Sequence, residues 1–146
     1  MNKERKIKSM KMQLSEIARV LEVEDIPAEW NTITITSVSF DSRQMKPGAL
    51  FVPLKGENDG HQFIQKAIDA QAAATLWQTD HRAIPTAIPA LPVEDTLAAM
   101  QKLAKYYLHK INPQVVAVTG SNGKTTTKDM IAAVLQTQYN VTKTFA

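Results

Sequence analysis

The sequence contains no cysteine, which removes disulfides, thiolate nucleophiles and cysteine metal sites together. Its three histidines, His61, His81 and His109, are scattered along the chain, and scatter argues against a metal centre. No uncharged apolar run approaches the roughly 18 residues of a membrane span, and the basic N-terminus is followed by no signal-peptide core. A cytoplasmic protein without a membrane partner is the expectation. The net charge of +3 and pI near 9.2 do not describe the body of the chain. Residues 1 to 12 hold Lys3, Arg5, Lys6, Lys8 and Lys11 against Glu4, a net +4, which leaves −1 for everything after. A solvated basic tail over 1–11 is the commoner meaning of such a pattern, and nucleic acid is not expected as a partner.

What is present is a chain able to bury a core, with 44% hydrophobic and 21% charged residues. Its 146 residues fit one ordinary domain, or one domain and a piece of a second. Leu14, Ile17, Ala18 and Leu21 recur at helical spacing, and Ser15 stands where an N-cap would, predicting a helix over 15–22. Alternating, β-branched residues from Thr32 to Phe40 predict a strand. Ala49 to Leu54 predicts a second, whose Pro53 suggests an edge or a bulge. The loop Gly56-Glu57-Asn58-Asp59-Gly60 leads into a helix over 61–73, with Asp59 as cap and His61 as a surface residue. Short strands are expected at 75–77 and 90–93. A long helix from Asp95 to about Lys110 follows, with Leu97, Met100, Leu103, Ala104, Tyr107 and Leu108 on one side. Trp77, Tyr106 and Tyr107 read as packing residues. Asn112-Pro113 breaks the pattern and is the best boundary in the chain.

After the break the sequence changes character. Val115-Val116-Ala117-Val118 reads as a strand, Gly120-Ser121-Asn122-Gly123-Lys124-Thr125-Thr126 as a loop, and Lys124 to Gln138 as a helix, with a further strand opening at Val141. This is the strand, loop and helix context of a phosphate-binding P-loop. Glycines let backbone N–H groups turn around phosphate oxygens without Cβ interference, and the helix N-terminus adds partial positive charge. Lys124 would supply a point charge for the terminal phosphates and the Thr125 hydroxyl a place in a Mg²⁺ shell. Both are the candidate catalytic residues. The sequence departs from G-x-x-x-x-G-K-[ST], because Val118 stands where the first glycine would. Only Asp129 follows the loop as an acidic residue near it, and it lies on the helix.

The string Val116 to Lys128 resembles the ATP loop of the Mur ligases, which build the peptide stem of bacterial peptidoglycan. Upstream, Ser39-Phe40-Asp41-Ser42-Arg43, Pro47 to Glu57 and Asp59-Gly60-His61-Gln62-Phe63 are similar to the N-terminal UDP-binding domain shared by the last two ligases of that family. The resemblance covers almost everything after residue 12. It implies an α/β architecture, with a small mixed-sheet substrate-binding domain over 12–111. The first strand, P-loop and helix of an ATP-binding central domain would follow over 112–146, cut short. It further implies ATP and Mg²⁺ as cofactors, the former on Gly120, Ser121, Asn122, Gly123, Lys124, Thr125 and Thr126, the latter on Thr125. A uridine diphosphate would sit around Phe40, Ser42, Arg43, Gly56, Glu57 and Asn58. The Lys-Gly-Glu and Thr-Lys-Asp-Met strings are most similar to the ligases that join D-alanyl-D-alanine to UDP-N-acetylmuramoyl-tripeptide through an acyl phosphate. The implied protein is a monomer whose front part, alone, is inactive. A ligase adding the third stem amino acid, a nucleotide-sugar binding module without chemistry and an unrelated P-loop kinase are the alternatives. From the residues alone, Asp41-Ser42-Arg43 reads equally well as a solvated turn closed by an Asp–Arg pair.

Overall fold

The structure, a computed structural model, describes residues 10–81 and 83–144. Most of the basic tail therefore lies outside the described residues. The described residues divide into two compact units, 10–112 and 113–144.

The first unit is built on a parallel sheet. Strands β3 (Ser37–Ser39), β4 (Ala49–Phe51), β5 (Ala74–Gln78) and β6 (Ala90–Val93) lie in chain order, each parallel to the next. Both faces of such a sheet need cover, and the pleat divides the side chains accordingly. Leu50, Val52, Ala74, Leu76, Leu91 and Val93 face a core shared with helices α1 (Leu14–Val20) and α3 (Thr96–Ile111). Phe51 faces the other side, where α2 (Ile64–Asp69) contributes Ala67 and Ile64. A second sheet pairs β1 (Met12–Gln13) antiparallel with β2 (Thr34–Ile35). The mixture of parallel and antiparallel pairing is thus divided between two sheets.

Several local expectations are corrected. The strand read over 32–40 is two strands in different sheets. Between them the Thr36 N–H donates to the Gly48 carbonyl at 3.0 Å and its hydroxyl to the Pro47 carbonyl at 3.2 Å, which carries the chain from one sheet to the other. Pro53 does not mark an edge, because β4 is paired on both sides. It lies past the last ladder residue, and its buried carbonyl accepts the Thr96 hydroxyl at 2.6 Å. Ser15 is inside α1 rather than capping it, and donates to the Asn31 carbonyl at 3.0 Å. The helix expected over 61–73 is a 3-10 turn at Gly60–Phe63 followed by the short α2. It stops because Gln71 takes a left-handed φ of 61° and the Ala72 N–H closes back on the Ala67 carbonyl.

Helix α3 starts where Asp95 accepts the Ala98 N–H at 2.8 Å. It ends at Asn112, whose left-handed conformation (φ 40°, ψ 60°) precedes Pro113. Its buried face is Thr96, Ala99 and Leu103, with Met100, Tyr106 and Tyr107 partly buried beside them. Of the expected apolar side, Met100, Leu103 and Tyr107 face the core, while Leu97, Ala104 and Leu108 are exposed.

In the second unit, α4 (Lys124–Leu135) is the one regular element among the described residues. Neither Val115–Val118 nor Val141 forms a strand, and Val115 and Val116 are exposed. A strand exists through its ladder partners, and among the described residues nothing pairs with either segment.

Candidate functional site

Because all four strands of the main sheet run the same way, their carboxyl ends lie along one edge, the place where open α/β sheets hold ligands. β3 delivers Phe40, Asp41, Ser42 and Arg43 there, β4 leads to the 54–60 loop, and β5 leads to Thr79, Asp80 and His81. The six residues expected to meet the substrate, Phe40, Ser42, Arg43, Gly56, Glu57 and Asn58, therefore leave the sheet from adjacent strands at one edge. Phe40, Arg43 and the three loop residues are exposed, and Ser42 is partly buried.

The turn after β3 is closed by hydrogen bonds within it. The Asp41 carboxylate accepts the Arg43 backbone N–H at 3.0 Å, and accepts Nε and Nη2 of the same residue at 2.9 and 2.8 Å. This two-pronged pairing holds the Asp41 carboxyl down to about 2. Arg43 keeps most of its side chain in water, so the turn aims the guanidinium outward with its orientation fixed. The solvated pair and the candidate binding group are here the same object.

The loop after β4 is closed at its neck. The Gly60 N–H donates to the Leu54 carbonyl at 2.9 Å, the Lys55 and Asp59 backbones form an isolated antiparallel bridge, and the Gly56 N–H donates to the Asn58 carbonyl at 3.2 Å. Gly60 has no alternative: a Cβ there would stand 2.7 Å from the Leu54 backbone N and O.

Beneath this loop lies a cluster that sequence reasoning missed. His61, expected at the surface, is buried, and its Nδ1 lies 2.6 Å from Asp59 Oδ1. Its Nε2 accepts the Gln78 backbone N–H at 3.3 Å. Accepting at Nε2 assigns the proton to Nδ1, which donates to Asp59. The His81 ring stacks on His61 with centroids 4.3 Å apart, and Trp77 meets both edge-on. Asp59 also caps the 3-10 turn through the His61 N–H, and that bond, ahead of the imidazole contact, holds its carboxyl below the usual range against the opposing effect of burial. Two of the scattered histidines thus converge, and Asp59, His61 and His81 each bring a possible metal-ligand atom within 4.8 Å of the others. With Nε2 taken by the Gln78 N–H, His61 could offer a cation only Nδ1, in place of the proton it shares with Asp59. A capping Asp two positions before a histidine was legible; the approach of residue 81 across the strand ends was not.

The candidate P-loop lies in the other unit. Gly120 and Gly123 have φ values of 147° and 75°, conformations that side chains resist. Gly123 is the N-cap of α4 and no side chain caps the helix, so its first N–H groups are not taken by a cap. Lys124 is the first helical residue, and Ser121, Asn122, Lys124, Thr125 and Thr126 are exposed. The arrangement fits a phosphate group: backbone donors, a cation and two hydroxyls at one helix start. Asp129 is engaged elsewhere, with Lys143 Nζ at 2.7 Å.

Residues 34–108 match the model of the Mur ligase family catalytic domain, and residues 118–146 that of the Mur ligase middle domain. The UDP-N-acetylmuramoyl-tripeptide–D-alanyl-D-alanine ligase of Bacillus subtilis is 49% identical over 117 residues, covering 80% of this chain and 26% of that protein. Among solved structures, a UDP-N-acetylmuramoylalanyl-D-glutamyl-2,6-diaminopimelate–D-alanyl-D-alanyl ligase from Acinetobacter baumannii superposes with a TM-score of 0.71 at 27% identity, over 91% of this chain and 30% of that one. MurF ligase from Thermotoga maritima, solved in complex with ADP, gives 0.55 at 33% identity over 70% of this chain and 23% of that one. The chain therefore spans about a quarter to a third of the length of these relatives. With one family model covering residues 34–108 and a second covering 118–146, the chain belongs to the Mur ligase family.

Proposed function

We propose that the chain supplies the UDP-substrate-binding domain and the P-loop of an ATP-dependent ligase joining D-alanyl-D-alanine to UDP-N-acetylmuramoyl-tripeptide. The observation that carries this reading is the start of α4, where uncapped amides, Lys124 and the Thr125 hydroxyl meet in a chain whose other unit gathers six candidate substrate residues at one sheet edge. ATP, when bound, would supply the phosphoryl group that gives an inert carboxylate a leaving group, and Mg²⁺ would neutralise its charge. The chain's own residues bind and orient. Backbone N–H groups from Gly120 to Thr126 and the Lys124 ammonium hold the phosphates, and Thr125 offers its hydroxyl to the metal. At the sheet edge, Phe40 presents an exposed aromatic face to a base. Arg43 presents fixed donors to a diphosphate, and the 56–58 loop presents backbone and side-chain groups to the uridine. The reading also makes the protein a cytoplasmic monomer.

Titration calorimetry of this chain with UDP-N-acetylmuramic acid and with Mg-ATP tests the reading. The first should bind weakly and measurably. The second should bind more weakly still and lose affinity as salt rises, since only triphosphate contacts are available to it. Tight, salt-resistant ATP binding, or no binding of the UDP-sugar, would overturn it.

A further inference from the structure

We propose that His61 is a positioning residue for the substrate loop, its Nδ1–H tautomer tying the 55–59 loop to the carboxyl end of β5 and so fixing where Gly56, Glu57 and Asn58 stand. The inference deepens the reading of this edge as a UDP-sugar site and rests on it. Three observations carry it. The imidazole is buried and joins Asp59, the last loop residue, to the Gln78 N–H, at the last residue of β5, with distances of 2.6 and 3.3 Å. The loop's own closures, Gly60 to Leu54 and Lys55 to Asp59, end at the same neck, so a shift of Asp59 moves the whole loop. The ring's position is itself fixed on two further sides, by stacking on His81 and by the edge-on contact with Trp77. Its imidazole hydrogen bonds go to Asp59 and Gln78 and to none of Gly56, Glu57 and Asn58, so it acts through Asp59.

Each hydrogen bond can be removed separately. Phe at 61 keeps a ring against Trp77 and His81 and removes both bonds. Asn can still donate toward Asp59 but cannot reach Gln78, and Gln can reach toward Gln78 without donating to Asp59. Asp59→Asn keeps an acceptor for both the cap and the imidazole.

In calorimetry on this chain at low temperature, with folding verified by circular dichroism, His61→Phe should weaken UDP-N-acetylmuramic acid binding by about tenfold or more. His61→Asn and His61→Gln should fall between, and Asp59→Asn should stay near wild type. Mg-ATP binding should not change. Unchanged UDP-sugar affinity in folded His61→Phe, with only a lower melting temperature, would overturn the proposal, as it would leave His61 a purely structural residue. If His61→Phe does not fold, the comparison of His61→Asn and His61→Gln with wild type decides by the same criterion. Should the wild-type chain not bind the UDP-sugar, the site reading fails separately. The positioning claim is then judged by amide hydrogen exchange at Gly56 and Asn58, where faster exchange in the variants supports it and unchanged exchange overturns it. Nitrogen-15 spectra showing His61 protonated at Nε2, or a Zn²⁺ titration that shifts both His61 and His81, would also overturn it.

Discussion

At the residue scale, what decides is whether a group has another use in the fold. Lys124 has none that the structure shows: it is exposed at the first position of α4. Lys124→Ala should leave the melting temperature unchanged and weaken Mg-ATP binding, with one charge-assisted phosphate contact contributing roughly 1.5 to 3 kcal/mol. Calorimetry and a thermal melt on the same sample check both halves, and affinity within a factor of about two of wild type would remove Lys124 from the phosphate site. Gly60 is the opposite case. A methyl group there meets backbone at 2.7 Å, which cannot rotate away. Gly60→Ala should destabilise by roughly 1 to 3 kcal/mol, read as a lower urea midpoint, and should disturb UDP-sugar binding through the loop it closes.

At the scale of elements, α1 and α3 are tied by one carboxylate. Glu16 accepts the Tyr106 hydroxyl at 2.7 Å and Lys110 Nζ at 2.6 Å. The Lys110 bond above all, with the Tyr106 hydroxyl adding to it, holds the Glu16 carboxyl below its ordinary value of 4.5, against the cost of burial. A depressed folded value means the contribution is complete above about pH 4.5 and is lost as pH falls through the lower folded value. Chemical denaturation of wild type and Glu16→Gln across pH 3 to 7 should show two curves that converge on the acid side, with the variant less stable at neutral pH. Tyr106→Phe should cost about 1 kcal/mol and keep the acid response, because Lys110 remains. A pH-independent gap between wild type and Glu16→Gln would contradict this account.

The same scale shows what the sequence made legible. Strands β5 and β6, the Asp95 cap, the Asn112-Pro113 break and the helix after Gly123 announce themselves through short-range signals: β-branched or apolar runs, a capping carboxylate, an Asn-Pro dipeptide and a glycine before Lys-Thr. The Thr32 to Phe40 run did not reveal its division, because residues 36, 47 and 48 meet only in three dimensions. The exposed candidates Phe40, Ser42, Arg43 and Gly56 to Asn58 were found by resemblance. His61 and His81 were not, since neither a helix-start histidine nor a loop histidine carries any local mark of burial or of stacking on a partner 20 positions away.

At the scale of the whole molecule, the unit boundary has a chemical signature open to test. Asn112 closes α3 in a left-handed conformation, and the residues that follow, up to Gly123, have no regular structure and are almost all exposed. Limited proteolysis should cut first between 113 and 124 and leave a resistant piece ending near residue 112, identifiable by mass. Early cuts within 34–108 would mean that the sheet unit is not self-sufficient.

The order of the strands has a further consequence for how the chain acquires its structure. Each strand of the parallel sheet is laid beside the one made just before it, so no pairing waits for a distant segment, and the ladder can lengthen from one end as the chain leaves the ribosome. The exception is α3, which packs against α1 from the far end of the unit. Loop-closure entropy is met in small instalments until that last, long closure. The sheet would then assemble quickly, with one face covered only in part, by α1, until α3 is made, so the interval between β6 and the docking of α3 is when the nascent chain is most exposed to aggregation.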